Sequence, residues 1–283
     1  MEAPFFEFAR RLSLFIEKNN PLIRITLSNV FSMRLIGNKT HGDLAEIAIA
    51  EFINQFLYDY RSLHVGKDLY RAKSKEEDIT VTNEITDEVF PVSLKAYGHG
   101  PLQLSTDKSC SLFPMLETYG NEIVDTAIID EILAHTAFED YRAINVLPLI
   151  YDERKSVCNI MVFLNDTARS AVARIVKETA ETGRRIHPVY RFYDKNGGYI
   201  FEVRYGGKTA NALQRGLWTH TARGTKYFRS VTNGWVTYQH NTTLITLIAR
   251  ALVASETGHK ASLPKLDEDI ARLKLSVAHY EEN

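Results

Sequence analysis

Asp78 and Lys95 are the two side chains whose types and spacing point most directly to chemistry. Asp78 lies in Glu76-Glu77-Asp78-Ile79-Thr80-Val81, and Lys95 closes Phe90-Pro91-Val92-Ser93-Leu94-Lys95, with a polar turn over residues 83–88 between them. Both segments are short, β-rich and alternating, which predicts two strands of one hairpin. A carboxylate near the start of one strand then faces an ammonium on its neighbour. Such a pair suits hydrolysis assisted by a divalent metal: the carboxylate is a hard oxygen ligand, and the ammonium orients the attacking water or offsets developing charge. The same two residues also read as an ordinary cross-strand ion pair.

Several elements must position that hairpin. Residues 1–18 read as an amphipathic helix with Phe5, Phe8, Leu12 and Phe15 on one face, ended by Asn20-Pro21. Residues 43–58 read as a stronger helix, and residues 63–70 as a short strand. Gly98-His99-Gly100-Pro101 forces a loop after Lys95. Residues 122–138 and 167–182 read as helices flanking the strand 157–164, which is apolar on both faces and suits the centre of a sheet. Residues 188–193 and 199–205 read as a second hairpin around Lys195-Asn196-Gly197-Gly198. Residues 244–255 and 267–280 read as closing helices. The pattern predicts one α/β domain over residues 1–283, a central mixed sheet flanked by helices with further helices at the periphery.

Hydrolysis of a phosphodiester needs a metal held by oxygens, a positioned water and an offset for charge on phosphorus. Asp78 is the natural ligand, the Leu94 carbonyl a further one, and Ser93 offers a weak oxygen contact. These residues resemble the PD-(D/E)xK nuclease superfamily, and within it the type II restriction endonucleases. The matching positions are Asp78 and the triplet Ser93-Leu94-Lys95. Two positions depart from the pattern: Glu77 stands where a proline often precedes the Asp, and Ser93 stands where a second carboxylate is usual.

The resemblance implies an αβββαβ core over about residues 40–205, a DNA-contacting elaboration over about residues 204–243, and Mg²⁺ as cofactor. The metal would be held by Asp78, Leu94 and a carboxylate from the preceding helix: Glu46, or Glu51 as the second choice. Catalysis falls to Asp78, Ser93, Lys95 and Glu46, and a twofold homodimer acting on double-stranded DNA is expected.

The segment after the catalytic lysine is expected to approach DNA through Gln103, Ser105, Thr106 and Lys108. A second stretch, Arg204 onward, is rich in side chains able to grip bases and phosphates. Lys208, Asn211, Gln214, Arg215, Thr219, His220 and Arg223 are its candidates, with Asn211, Gln214 and Arg215 at i, i+3 and i+4 on one helical face. Trp218 and Trp235 read as core, and His220 and His240 lack zinc-ligand spacing.

Composition bounds these expectations. Net charge is −1, so overall charge identifies no partner, yet residues 184–229 hold ten basic and two acidic residues. Residues 117–140 hold seven acidic residues and no Lys or Arg. Cys110 and Cys158 support neither a disulfide framework nor a zinc site. No signal peptide or membrane span is legible, which predicts a soluble cytoplasmic protein. Two rivals stand beside the restriction-enzyme expectation: a repair or junction nuclease of the same superfamily, and a catalytically inactive sequence-specific DNA-binding protein.

Overall fold

A computed structural model describes residues 3–36, 41–65, 77–98, 101–105, 107, 109–136, 138, 145–179, 187–205, 215–247, 268, 271 and 275. Two sheets and two apolar cores organise these residues. The first sheet has, in spatial order, the strands 60–64, 79–83, 89–97, 146–152, 157–163 and 228–230, with 236–237 also on 157–163; the second has 101–105, 216–220, 199–204, 189–194, 172–178 and 122–123.

Three helices cover one face of the first sheet. In α1 (Pro4–Lys18), Phe5, Phe8, Leu12 and Ile16 recur at helical spacing and are all buried, with Pro4 in the first turn where its missing N–H costs nothing. Pro21 then opens α2 (Asn20–Ile36) rather than a loop. Ile23, Leu27, Val30 and Phe31 form its buried stripe, so the sequence reading stopped one helix short. The third, α3 (His41–Phe56), buries Ala45, Ile49, Phe52 and Ile53. Complete burial of a side chain such as Phe8 or Ile53 is worth about 1.5–3 kcal/mol.

The strands β1 (Tyr60–His64), β2 (Ile79–Asn83) and β3 (Val89–Tyr97) form an antiparallel meander. Ile79 and Val81 of β2 and Val92 and Leu94 of β3 point into the helix-covered core. β6 (Val146–Asp152) lies parallel to β3, with Ser93 opposite Val146 and Lys95 opposite Pro148. β7 (Val157–Phe163) is buried on both faces, as its apolar run predicts. β12 (Phe228–Ser230) and β13 (Val236–Thr237) pair with it. The sheet is therefore mixed, and the α/β expectation holds.

The second sheet arises where the sequence reading had loops and helices. Pro101, the last residue of the expected loop, instead opens β4 (Pro101–Ser105). The expected helix 122–138 contracts to α5 (Thr126–Leu133), after α4 (Leu112–Thr118) and the short β5 (Glu122–Ile123). Asp125 sets that boundary, because its carboxylate accepts the Ala127 and Ile128 amides as an N-cap.

The expected helix 167–182 is overturned: a short α6 (Asn165–Ser170) gives way to β8 (Val172–Glu178), paired along its length with β9 (Val189–Asp194). The hairpin of β9 with β10 (Tyr199–Arg204) forms as expected, and β11 (Gly216–His220) joins β10 to β4. The inner face of this sheet carries Leu104, Ile175, Tyr190, Phe192, Val203 and Leu217 into the second core, shared with α4, α5 and Val146, Ile150, Met161 and Phe163 of the first sheet.

Helical structure begins at residue 242, and the remainder of 244–255 beyond 247 lies outside the described residues, as does 267–280 apart from 268, 271 and 275. Among the described residues no helix is long and apolar enough to cross a membrane.

Candidate functional site at the open end of a hairpin

The β2–β3 ladder ends at Ile79–Val92, and Asp78 lies one residue beyond it. The Asp78 amide donates to the Val92 carbonyl at 3.2 Å, and its own carbonyl accepts the Val65 amide at 2.9 Å. Its side chain then turns back onto β3. Oδ2 accepts the Leu94 amide at 2.7 Å and the Ser93 hydroxyl at 3.0 Å. Four hydrogen bonds thus fix this half-buried residue, two of them through its carboxylate. Oδ1 takes none of them, which leaves it available to a ligand.

Ladder alternation sets what surrounds it. The Ser93 amide donates to the Asn145 carbonyl at 2.8 Å, toward β6. Backbone groups of successive strand residues point to opposite sides, so the polar groups of Leu94 face the β2 side, where its amide meets Asp78. The Leu94 carbonyl is therefore directed to the side of the strand that holds the carboxylate. Val92 and Leu94 occupy the helix-covered core, so Ser93 and Lys95 project from the other face. Asp78 and Ser93 are brought into contact, and Lys95 lies two residues along β3 on the Ser93 face. The cross-strand ion pair between Asp78 and Lys95 does not form; the carboxylate's partners are Ser93 and Leu94.

Glu46 is placed differently. It is 6 % exposed and lies 3.5 Å from Nε2 of His64. His64 is opposite Ile79 and shares a strand face with Tyr60 and Ser62, which pack against the helices. Glu46 therefore sits with His64 on the helix-covered side, away from the face that carries Ser93 and Lys95. Glu51, the second choice, is exposed and lines an apolar groove of about 370 Å³ between α2 and α3, with Val30, Met33, Ile47 and Phe52.

A carboxylate that the sequence did not single out lies closer in the chain: Glu77 is 1 % exposed and accepts the Thr80 hydroxyl. Thr80 faces away from Ile79 and Val81, so this buried acid lies on the Ser93 side of the sheet. Among the described residues no group of three or more His, Cys, Asp or Glu is arranged around one metal position.

The candidate DNA contacts are spread over the second sheet. Gln103 is half-buried opposite Trp218. The Ser105 backbone pairs with Leu217. Thr106, Lys108, Lys208, Asn211 and Gln214 lie outside the described residues, and so does most of the helical face expected over 211–215. Arg215 donates to the Cys110 sulfur. Thr219 is corrected: it is fully buried and its hydroxyl donates to the Ile200 carbonyl at 2.8 Å, so it serves the sheet rather than a ligand. Arg223 is exposed, with its guanidinium 4.4 Å above the Tyr199 ring. Trp218 is half-buried, whereas Trp235 is 57 % exposed and overturns the core assignment.

The sequence reading also missed a charged network on the outer face of this sheet. Glu202 is fully buried, yet it accepts from Arg191 Nε at 3.3 Å and from Arg204 Nε at 2.6 Å, with His220 Nε2 at 3.8 Å. Burial alone would raise its pKa; His220 and Arg204 reverse that and hold the carboxyl down to about 2. Arg191 also reaches Glu178, and Arg204 lies 4.9 Å above the Trp218 ring. The only advance signal was the basic bias of residues 184–229, which gives neither partners nor register.

Comparison with protein-family models, with curated proteins and with solved structures finds no match to this chain.

Proposed function

We propose that this chain is a metal-dependent endonuclease acting on double-stranded DNA, with Asp78 and Lys95 as its catalytic pair. The observation that carries the proposal is the Asp78 carboxylate, fixed at the open end of a ladder by the Leu94 amide at 2.7 Å and the Ser93 hydroxyl at 3.0 Å. Two features support it. The run α3, β1, β2, β3 matches the αβββ start of the PD-(D/E)xK pattern, and β6, reached after β4, α4, β5 and α5, lies parallel to β3. Lys95 projects from the same strand face as Ser93.

The residues present suit a hard cation such as Mg²⁺. Oδ1 of Asp78 and the Leu94 carbonyl are two oxygens of the required type on one side of the strand, and Mg²⁺ habitually keeps several waters. When bound, the metal supplies Lewis-acid activation of the phosphoryl group and acidifies a water. Asp78 holds the cation side of the site. Lys95 orients the attacking water and offsets negative charge on phosphorus. Ser93 steadies the carboxylate. A short recognition sequence cut by a homodimer, as in type II restriction enzymes, is the specific form we favour; a repair or junction nuclease is the same chemistry with a different substrate.

Incubation with mixed genomic DNA and Mg²⁺, followed by sequencing of the fragment ends, tests this form. Ends clustered at one short motif are expected from the parent, and none from Asp78→Ala or Lys95→Ala. Cleavage by both variants at the parent's rate overturns the assignment. A second reading, DNA binding without cleavage, is favoured by one observation: Ser93, where a carboxylate would strengthen the site, is 1 % exposed and engaged with Asp78. Tight, specific binding by a parent that never cuts would select it.

A further inference from the structure

We propose that the Arg204–His220–Arg223 corner of the second sheet grips the phosphodiester backbone of nucleic acid. This rests on the nuclease reading for its substrate class and adds a surface that the catalytic residues do not supply.

The corner is built by strand parity. Phe201 and Val203 face the second core, so Glu202 and Arg204 face outward; Leu217 faces the core, so Trp218 and His220 face outward on the next strand. Among the described residues, the acid that Arg204 binds is Glu202, which is fully buried. The nitrogen-bearing side chains around it do reach solvent: Arg204 is 21 % and His220 26 % exposed.

Arg204 is held before any ligand arrives. Its Nε and Nη2 both donate to Glu202 Oε1, and its plane lies over the Trp218 ring, while Nη1 remains for a partner. A guanidinium has five donors in a planar fork that matches phosphate oxygens, and one already immobilised loses little freedom on binding. Arg223 is set by the turn that follows β11, where the Arg223 and Gly224 amides both donate to the His220 carbonyl, at 3.0 and 2.8 Å. Glycine fits closely at 224, where a Cβ would stand a tight 3.0 Å from the Ile200 carbonyl oxygen and 3.2 Å from the Thr219 hydroxyl.

The corner is tied to the catalytic strand. The Tyr97 hydroxyl bonds the Thr221 hydroxyl; Tyr97 is two residues past Lys95 on the same strand face, and Thr221 follows His220 directly. Pro101, where the chain resumes as β4, is opposite His220. A polyanion engaged near Lys95 thus has phosphate donors next along its path, and phosphate contacts fix register without reading sequence.

Fluorescence anisotropy with a labelled DNA duplex tests this in the full-length Asp78→Ala chain, without metal, across a salt series. Arg204→Ala and Arg223→Ala are each expected to weaken binding about tenfold and to lower the slope of log affinity against log salt by about one. Arg223→Glu, at an exposed position, covers the case in which Arg204→Ala fails to fold, and is expected to weaken binding further. Unchanged affinity and slope in the Arg204→Ala/Arg223→Ala chain overturn the proposal. Equal displacement of the duplex by polyglutamate also overturns it, in favour of an acidic protein. Because no chemistry occurs in this assay, dependence on Arg204 and Arg223 stands even if Asp78 and Lys95 prove dispensable for cleavage, and the reverse outcome separates the two equally well.

Discussion

The carboxylate of Asp78 stands in for the backbone carbonyl that would come next in the β2–β3 ladder: its Oδ2 accepts the Leu94 amide at 2.7 Å where β2 has ended. One side chain thereby satisfies a strand donor through Oδ2 and leaves Oδ1 outside that bond.

Asp78→Asn separates those two tasks. An amide oxygen can still accept the Leu94 and Ser93 donors, so thermal stability should stay near the parent's. The negative charge is lost, so Mg²⁺-dependent cleavage should fall on the order of a hundredfold or more. Asp78→Ala should cost a further ~1–3 kcal/mol, because the Leu94 amide is left without its partner. Denaturant titration beside a cleavage assay checks both. Equal loss of stability in the two variants would refute the division of labour.

The hairpin was legible because alternation and a polar turn define it locally, and Ser93-Leu94-Lys95 carries its face assignment in its spacing. Glu46 was legible as a helix carboxylate but not its destination, since the packing of α3 on β1 hands it to His64. The strand β8 was read as helix because Arg174, Lys177 and Glu178 mask Val172, Ile175 and Val176 in a stretch of mixed polarity; pairing with β9 decides it. The Arg191–Glu202–Arg204 network was illegible because it joins neighbouring strands through register, which no single segment encodes.

Glu77 and Glu46 give opposite expectations as the second acid. Glu77 lies beside Asp78 on the Ser93 side of the sheet, whereas Glu46 is on the helix-covered side with His64. Glu77→Gln should weaken Mn²⁺ binding in calorimetry about tenfold or more, and Glu46→Gln should leave it within about twofold. A larger loss from Glu46→Gln would restore the helix carboxylate to the site.

Glu202 makes stability depend on acid. Burial would raise its pKa, but His220 and Arg204 hold it at about 2 in the folded chain against 4.5 unperturbed. Folded below unfolded means that the charged form stabilises the fold: the contribution is complete above about 4.5 and drains away as pH falls toward about 2. Its size is about 3 kcal/mol. Glu202→Gln should therefore be less stable than the parent at neutral pH by about that amount, with the gap closing through the same window. Urea unfolding at a series of pH values measures it, and a gap independent of pH would contradict the ion-pair account.

The two cysteines should react at very different rates. Cys158 is fully buried among the β7 core residues, and burial pushes its thiol up to about 12, so almost none is thiolate at mildly alkaline pH. Cys110 is partly exposed, at a backbone φ of 54°, with Arg215 donating to its sulfur. A thiol-reactive chromophore should therefore label one cysteine per native chain quickly and both in denaturant. Mass mapping should place the fast label on Cys110. Early labelling of Cys158 would mean that β7 opens locally, since its sulfur also lies 3.7 Å from the Val236 carbonyl of the strand that covers it.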